Sequence, residues 1–412
     1  MRATLSALAL AGAVSWGAQA QAAATYYFSD CQPGAAPGCV QGNDANDGKS
    51  PRSPKRRLES VAINALPAGS KLLLARGGVW VQDMLVLDNP RVTAEAPLVI
   101  DAYGRGERPW LQAPGVKNAV FMFGKYNNTS YDGGYTLRNL KLDGRGTGQW
   151  GLFLIHNLHH VTIEDSEITG FHIGIHSQAR APQGVNHVVI RRNVISRNKG
   201  MGILGQFNDS LIEDNLFEAN NFSGSDYDHA IYLSGNEAGG RRNVVRGNTF
   251  RHNSVVDGVC KGGNVTMHGQ MDGMLIEGNT IEQRASARSC WGISITSGYK
   301  TAEWFRNFVV RNNTVVNLGE CAFCINASPG IVVENNRVFN DQKSPHVAVM
   351  ITRGNRTPGD AEDRDAVVRG NVACFPSGAS NQVAVRLASA AADVSDNLTL
   401  AGEAATRGVC AR

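Results

Sequence analysis

The sequence has little of what marks most common folds. Its 412 residues include only 14 Pro and 7% aromatic residues, against 46 Gly. No long apolar pattern with a 3.6-residue period follows residue 66, which argues against helical repeats and bundles. No phosphate-binding loop, dinucleotide fingerprint or nucleic-acid module occurs, so we expect no nucleic-acid partner. The basic excess is slight, 40 Lys and Arg against 36 Asp and Glu, which fits an anionic partner but decides little.

One segment looks like a targeting signal. It combines Arg2, an apolar stretch from Leu5 to Val14, and small residues around Ala18 and Ala20. This pattern is typical of a secretory signal peptide, here residues 1–24 with cleavage near 20–24. The apolar stretch is too short to cross a bilayer. We therefore expect a secreted or periplasmic protein that does not insert into the membrane.

An Asn-centred phrase recurs along the second two-thirds of the chain. Its centres are Asn193, Asn215, Asn248, Asn279, Asn313 and Asn336, with weaker copies at Asn139, Ser166, Asn371 and Asn397. Flanking residues are mostly β-branched and alternate with polar ones, which favours strands. Asn tolerates left-handed turn dihedrals, and stacked copies can form an amide ladder. A repeat of this length indicates a solenoid in which each unit packs only against its neighbours.

These features predict an all-β right-handed parallel β-helix of about ten coils. The Leu spacing of a leucine-rich horseshoe is missing. We expect residues 25–135 to form an N-terminal cap with a short helix and the first coils. Residues 136–400 would form the β-helix repeats and residues 401–412 a C-terminal cap. The open end of such a helix is an unpaired edge, which is why a cap is expected.

Eight cysteines fit an oxidising compartment. Cys31 and Cys39 bracket a Gly/Pro loop and could close it. Cys260 and Cys290 follow successive Asn centres by 12 and 11 residues, so they are expected on neighbouring rungs within disulfide distance. The pairing of the other four stays open: Cys321, Cys324, Cys374 and Cys410. Zinc at the Cys-x-x-Cys pair is a weaker alternative, because no second half-site completes it.

Segments near the N-terminus resemble a known class of proteins. They are Gly42-Asn43-Asp44-Ala45-Asn46-Asp47-Gly48, Arg76-Gly77-Gly78-Val79-Trp80 and Ala96-Pro97-Leu98-Val99-Ile100. The chain resembles secreted right-handed β-helix proteins of the polysaccharide lyase and C5-epimerase superfamily, which also includes glycoside hydrolases. The resemblance implies the architecture and suggests carbohydrate chemistry. Fold alone does not fix function.

The strand that precedes each Asn phrase predicts a shallow trough along the solenoid. Its inward residues are apolar, and its outward residues include small or polar ones on successive rungs. We expect substrate contacts from His176, Ser234, Thr266, Ser294, Thr296 and Asn326, and from Arg241 and Arg242. Such a trough suits an extended polymer, so the expected partner is a polysaccharide bound by a monomeric protein.

Catalytic chemistry is predicted where His229, Tyr232, Lys261 and His268 meet on adjacent rungs. Tyr232 and His268 differ by one rung and two residues, roughly 8 Å between Cα atoms. His229 or His268 is the expected base, Tyr232 the acid and Lys261 the group that neutralises a substrate carboxylate. Lone histidines are more often structural, but this cluster favours a functional reading.

These residue types favour β-elimination on a uronic acid polymer. Arg241, Arg242 or Ca²⁺ could replace Lys261 as the cation. The expected calcium ligands are Asp226, Asp228 and Asp257. Paired carboxylates for glycoside hydrolysis are absent from the outward strand positions and could come only from loops.

Other functions stay open beside the polysaccharide lyase. Asp228-His229 matches only part of the Asp-Pro-His-Asp motif of alginate C5-epimerases: Pro is missing, and Ala230 stands where the second Asp would be. A glycoside hydrolase or a non-catalytic glycan-binding adhesin would use the same fold and trough.

Overall fold

The computed structural model describes residues 22–81, 83–123, 132–181, 183–283, 286–343, 346–352, 357–378, 382–387 and 392–411. The expected signal peptide up to residue 21 lies outside the described residues. No helix within these ranges is long and apolar enough to cross a membrane.

Parallel strands stack in three ladders around a common core, as a β-helix requires. The first ladder is a 13-stranded sheet. Its strands are Thr25–Phe28, Lys71–Ala75, Leu98–Tyr103, Asp132–Arg138, Leu158–Glu164, Asn186–Arg191, Leu211–Glu213, Val244–Arg246, Leu275–Glu277, Val309–Arg311, Val332–Glu334, Ala366–Arg369 and Ala392–Ser395. The stack therefore begins well before the first Asn centre. Ten of these strands, from Asp132–Arg138 onward, match the expected ten or so coils, and three more precede them in the segment where the first coils were expected.

The second ladder follows the Asn turn, and the third carries the predicted trough. Strands of the second are Val79–Val81, Trp110–Gln112, Val194–Ser196, Leu216–Glu218, Thr249–Arg251, Thr280–Glu282, Thr314–Val316, Arg337–Phe339, Val372–Phe375 and Leu398–Ala401. Strands of the third are Leu85–Leu87, Asn118–Phe123, Ile203–Gly205, His229–Gly235, Val259–Asp272, Ser286–Ile295, Cys321–Ile325, His346–Ile351 and Gln382–Leu387. Two long strands, Lys141–His156 and Glu167–Ala179, turn the corner and belong to both. Val255–Val256 forms a hairpin with Val259–Asp272, and Trp304–Arg306 pairs with the end of that strand.

Inward positions of the three ladders build one continuous apolar core. Ile231 and Val265 are fully buried on adjacent rungs. Phe217 and Phe250 stack with ring centroids 4.9 Å apart. Each residue packs mainly against its copy on the next rung, so the strand register also sets the core packing.

The predicted Asn ladder is confirmed. Asn248 Nδ2 donates to Asn279 Oδ1 at 3.0 Å and to the Ile212 carbonyl at 2.8 Å. Its Oδ1 accepts from the side chain and backbone N–H of Asn215, both at 3.0 Å. The same links join Asn193, Asn215, Asn248, Asn279, Asn313, Asn336, Asn371 and Asn397. Each buried amide is thus satisfied by the rung on either side.

Charged side chains form a column on the outside of the first ladder of strands. Acidic and Arg side chains alternate on ten successive rungs: Asp101, Arg138, Glu164, Arg191, Glu213, Arg246, Glu277, Arg311, Glu334 and Arg369. Pairs such as Arg246–Glu213 at 2.7 Å and Arg311–Glu277 at 2.8 Å are half-exposed. Each is weak alone. If a coil paired with the coil two rungs away instead of its neighbour, Arg would face Arg and acidic residues would face each other. The alternation of charge therefore favours the observed register.

The ends of the stack are closed by short elements. Near the N-terminus the expected short helix is two single 3₁₀ turns, Leu58–Ser60 and Ile63–Ala65, which bury Leu58 and Ile63. At the other end lie the 3₁₀ turns Gly402–Thr406 and Gly408–Cys410.

Disulfides join all eight cysteines. Cys31–Cys39 and Cys260–Cys290 confirm the two expected pairs. The remaining pairs are Cys321–Cys324 and Cys374–Cys410, the latter tying the last turn to the stack. The Cys-x-x-Cys sulfurs bond to each other rather than standing as free zinc ligands. Four disulfides suit an oxidising environment.

Replacing Asn248 tests the amide ladder. Asn248→Ala should lower the free energy of unfolding by about 3 kcal/mol, because it leaves buried polar partners on both neighbouring rungs unsatisfied. Asn397→Ala, at the partly exposed end of the ladder, is the matched control and should cost clearly less. Urea unfolding measures both, and equal losses would contradict the ladder's role.

Candidate active site

The main pocket lies on the outward face of the third ladder, where loops rise on both sides of it. Its volume is about 880 Å³. The lining residues are Met201, Leu204, Asp226, Tyr227, His229, Tyr232, Thr266, His268, Trp291, Ser294, Thr296, Ser297, Gly298, Tyr299, Glu320, Cys324, Asn326 and Met350. Most are polar or aromatic, as expected of a site for a hydroxyl-rich ligand.

Strand register brings two of the four catalytic candidates, Tyr232 and His268, to the same flank. Tyr232 pairs with Thr266, and Ser234 pairs with His268. Since outward side chains alternate with inward ones, Tyr232 and His268 face the same side one rung apart. Their ring centroids are 5.4 Å apart.

A third aromatic side chain, Tyr299, completes this cluster. Its hydroxyl lies 2.6 Å from the Tyr232 hydroxyl, and its ring centroid lies 5.3 Å from that of His268. The loop that carries it is held in place because Thr357 Oγ1 donates to the Tyr299 carbonyl at 2.8 Å. Burial raises the pKa of Tyr232 and of Tyr299. Both phenols therefore stay protonated and can donate a proton.

Glu303 lies behind His268 and is completely buried. Its carboxylate accepts the backbone N–H groups of Gly269 and Gly298, and that of Tyr299 at 2.6 Å. His268 Nδ1 is 3.8 Å from Glu303 Oε1. Three N–H donors satisfy the carboxylate oxygens, and the carboxylate faces the Nδ1 side of the imidazole. Nε2 of His268 is then the nitrogen suited to accept a proton.

His229 has a different environment from His268. Only 3% of its surface is exposed, and its Nδ1 accepts the backbone N–H of Gly263 at 3.1 Å. Its ring stacks on Tyr232 with centroids 5.7 Å apart. This arrangement positions the Tyr232 ring and leaves His229 poorly placed to reach a substrate.

The structure brings together some of the predicted substrate-binding residues and separates others. Thr266, Ser294, Thr296 and Asn326 line the pocket. Thr266 is almost fully buried because Trp291 covers it, with Trp291 Nε1 donating to Thr266 Oγ1 at 3.3 Å. Ser234 is buried beside the pocket, where it hydrogen-bonds Tyr299.

The predicted cations do not reach the pocket. Lys261 is exposed beside the Val255–Val256 hairpin, and it does not line the cavity. Arg242 pairs with Asp209 at 2.6 Å at the start of a first-ladder strand. Arg241 lies beside it and donates to the Glu237 carbonyl. Among the described residues that line the pocket, none is Lys or Arg. Lys261 therefore does not line the pocket beside Tyr232 and His268.

The predicted calcium ligands are not assembled into a site. Asp226 lines the pocket, Asp228 lies near His172, and Asp257 sits in a hairpin turn with positive φ. Across the described ranges, no three His, Cys, Asp or Glu side chains are grouped closely enough to hold a metal ion.

Tyr299, Glu303 and Trp291 are site residues that the sequence did not reveal. Tyr299 is 67 residues from Tyr232 along the chain. Tyr299 and Glu303 come from the irregular segment after Ser286–Ile295, where no periodic pattern shows which way a side chain points. Tyr227 is also notable, since it is 84% exposed at the pocket rim.

Comparisons with known proteins agree on the fold. Residues 126–270 and 213–357 match the family model described as right handed beta helix region, together more than half of the chain. No curated protein matches the sequence.

Solved structures with the same fold share little sequence with the chain. Lacto-N-biosidase from Eubacterium ramulus is 15% identical with a TM-score of 0.56, over 90% of this chain and 68% of that one. The Dettilon tailspike protein is 16% identical with a TM-score of 0.54, over 79% and 62%. A tailspike protein of E. coli bacteriophage HK620, solved with a pentasaccharide, is 10% identical with a TM-score of 0.55, over 82% and 60%. The chain thus spans less than two thirds of either tailspike.

Acid should destabilise the fold through its buried histidines. Burial lowers the pKa of His229 to about 3 from an ordinary 6.5, and that of His176 to about 4. Between these lowered pKa values and 6.5, the unfolded chain binds more protons than the folded protein. The stability present above about pH 6.5 is therefore lost as the pH falls. The melting temperature should drop between about pH 7 and pH 4. His229→Asn, whose oxygen can replace Nδ1, should flatten that dependence; an unchanged slope would contradict this account.

Proposed function

The chain belongs to the right-handed β-helix family, and we propose that it is a carbohydrate-active enzyme acting on a glycan bound along the third ladder. The reaction that the site supports best is β-elimination in a uronic acid-containing polysaccharide. The observation that carries the proposal is the cluster of Tyr232, Tyr299 and His268, backed by the buried carboxylate of Glu303.

This cluster provides a base and an acid at one place. His268 Nε2 is the proposed base, because Glu303 lies on the Nδ1 side of the ring. Tyr232 and Tyr299 share a short hydrogen bond and stay protonated, so one of them can donate a proton. A positioned acid and base each contribute typically 10²–10⁴ in rate.

In the proposed elimination, His268 removes the proton from C5, next to the uronic acid carboxylate. The C5–H electron pair forms the C4–C5 double bond as the C4–O bond breaks. Tyr232 or Tyr299 donates its proton to the leaving oxygen. The products are a new unsaturated end and a free hydroxyl. His268 then loses its proton to water, and the tyrosine phenolate regains one from water, which restores both groups.

Neutral donors would have to stabilise the substrate carboxylate, since no Lys or Arg is among the described residues that line the pocket. The candidates are the Asn326 amide and the hydroxyls of Ser294 and Thr296, which lie 3.0 Å apart. Hydrogen bonds from such groups can stabilise charge that develops in the transition state. Asn326 is itself positioned, because its Oδ1 accepts the Ser297 N–H at 2.6 Å.

Hydrolysis of a glycosidic bond is the second candidate. Asp226 and Glu320 both line the pocket, and burial raises the pKa of Glu320, as a general acid requires. Two carboxyl groups across a bond are what glycosidases use. A described pocket lining without Lys or Arg also fits a neutral sugar better than a uronic acid.

Product analysis separates these reactions. The purified protein should convert a polymer from a uronic acid panel into chains with ultraviolet-absorbing unsaturated ends. New reducing ends without unsaturation would establish hydrolysis instead, and they should then vanish in Asp226→Asn or Glu320→Gln. Deuterium entering C5 without cleavage would indicate an epimerase, and binding without turnover an adhesin.

Two substitutions test the assigned roles. His268→Ala and Tyr232→Phe should each lower kcat by at least about 10²-fold, since each removes a proton-transfer group. The matched control is His252→Ala, which removes a partly exposed imidazole directly after the second-ladder strand Thr249–Arg251 and should keep full activity. Thermal unfolding of each variant separates lost chemistry from lost folding. Full turnover by either site variant would contradict the assignment.

A further inference from the structure

The outward column that carries Tyr232 continues toward the N-terminal coils and becomes aromatic there. Tyr232 pairs with Leu204, Leu204 with His176, and His176 with Phe153. Phe153 in turn pairs with Phe121. The same flank therefore runs without a break from the pocket to a group of rings.

We call Phe121, Trp150, Phe153 and His176 the aromatic shelf. Phe153 stacks on His176 with centroids 4.8 Å apart, and Trp150 meets the edge of His176 at 4.8 Å. Trp150 and Phe153 are 4.6 Å apart. Phe153 is nearly buried, whereas Trp150 and His176 keep part of their surface in solvent.

The shelf is not needed to fill the core. On the inward side of the same strands, Leu152, Leu154 and Ile175 are fully buried and occupy that space. The rings thus form an additional apolar surface on the outside of the sheet. Three of the rings, Phe121, Trp150 and His176, are partly exposed side by side. Single apolar residues at the surface are common, but a contiguous apolar group is typical of a binding surface.

Polar groups flank the shelf in the pattern that a sugar requires. Gln178 follows His176 by two residues on the same outward side and is exposed. Gln206 directly follows the strand Ile203–Gly205, and its Oε1 accepts the Ala179 N–H at 3.2 Å. Lys117 Nζ lies 5.8 Å from the Trp150 ring. Aromatic faces can cover the C–H side of a sugar ring while amides bind its hydroxyls, and the ammonium group favours an anionic sugar.

We infer that the aromatic shelf is a second sugar-binding site for the same glycan whose reacting unit occupies the pocket. This inference rests on the proposed function. His176 and Phe153 lie two and three rungs from Tyr232, about 10 and 14 Å at the usual rung spacing. A rung is close to the length of one sugar unit in an extended chain. The shelf therefore holds a unit roughly two to three sugars from the reacting one, and short oligosaccharides cannot reach both places.

Chain-length dependence tests the inference. Oligosaccharides of increasing length are prepared from the polymer that the full-length protein cleaves or binds, and their affinities are measured in the His268→Ala background. Affinity should rise steeply once the chain spans both places. Trp150→Ala should remove that rise, weakening long chains about tenfold while leaving the shortest unchanged. In the active protein the same variant should raise KM for long chains and leave kcat unchanged.

Two further variants control the experiment. Trp304→Ala removes a partly exposed Trp that packs against Arg306 away from the third ladder, and it should behave as the parent. Trp150→Phe retains a ring and should recover most of the affinity, which separates stacking from a folding defect.

The outcomes separate the two proposals. Parent-like affinity of Trp150→Ala at every length would overturn the shelf and leave the proposed function standing. Equal weakening of short and long chains would also overturn it. A parent protein that neither binds nor converts any glycan would overturn both.

Discussion

The hydrogen bond from each buried Asn amide to the next Asn fixes which residues share a rung, and the site depends on that register. Asn215, Asn248 and Asn279 pair only when their coils are aligned. Coil lengths differ, with steps such as 22 and 35 residues between linked Asn. The extra residues of the longer coils must therefore form loops that project from the stack. Those loops form the walls of the pocket above the third ladder.

The register set at the Asn turn also determines which side chains meet in the pocket, which lies away from that turn. Tyr232 and His268 belong to coils whose Asn residues are Asn248 and Asn279. A slip of one residue would point one of these rings inward, because side chains alternate along a strand. The alternating ladder of acidic residues and Arg on the first sheet opposes a slip by a whole rung. The Asn hydrogen bonds thus oppose a slip by one residue, and the alternating charges oppose a slip by a whole rung. The apolar core supplies most of the stability.

The sequence predicts the repetitive part of the structure well and the irregular part poorly. Asn phrases with β-branched neighbours specify stacked strands, and the shared flank of Tyr232 and His268 follows from counting along them. The charge alternation was also visible, since Arg246, Glu277 and Arg311 stand two residues before successive Asn centres. Tyr299 and Glu303 could not be placed, because their segment has no period and its position depends on tertiary contacts such as Thr357 with Tyr299. The position of Lys261 could not be read from the repeat either, because it follows the Val255–Val256 hairpin; it does not line the pocket.

A crystal structure of the His268→Ala protein with a bound oligosaccharide tests the central claim most directly. The account predicts a chain lying along the third ladder, with one sugar beside the hydroxyls of Tyr232 and Tyr299. A chain bound on another flank, or one that leaves this pocket empty, would contradict it.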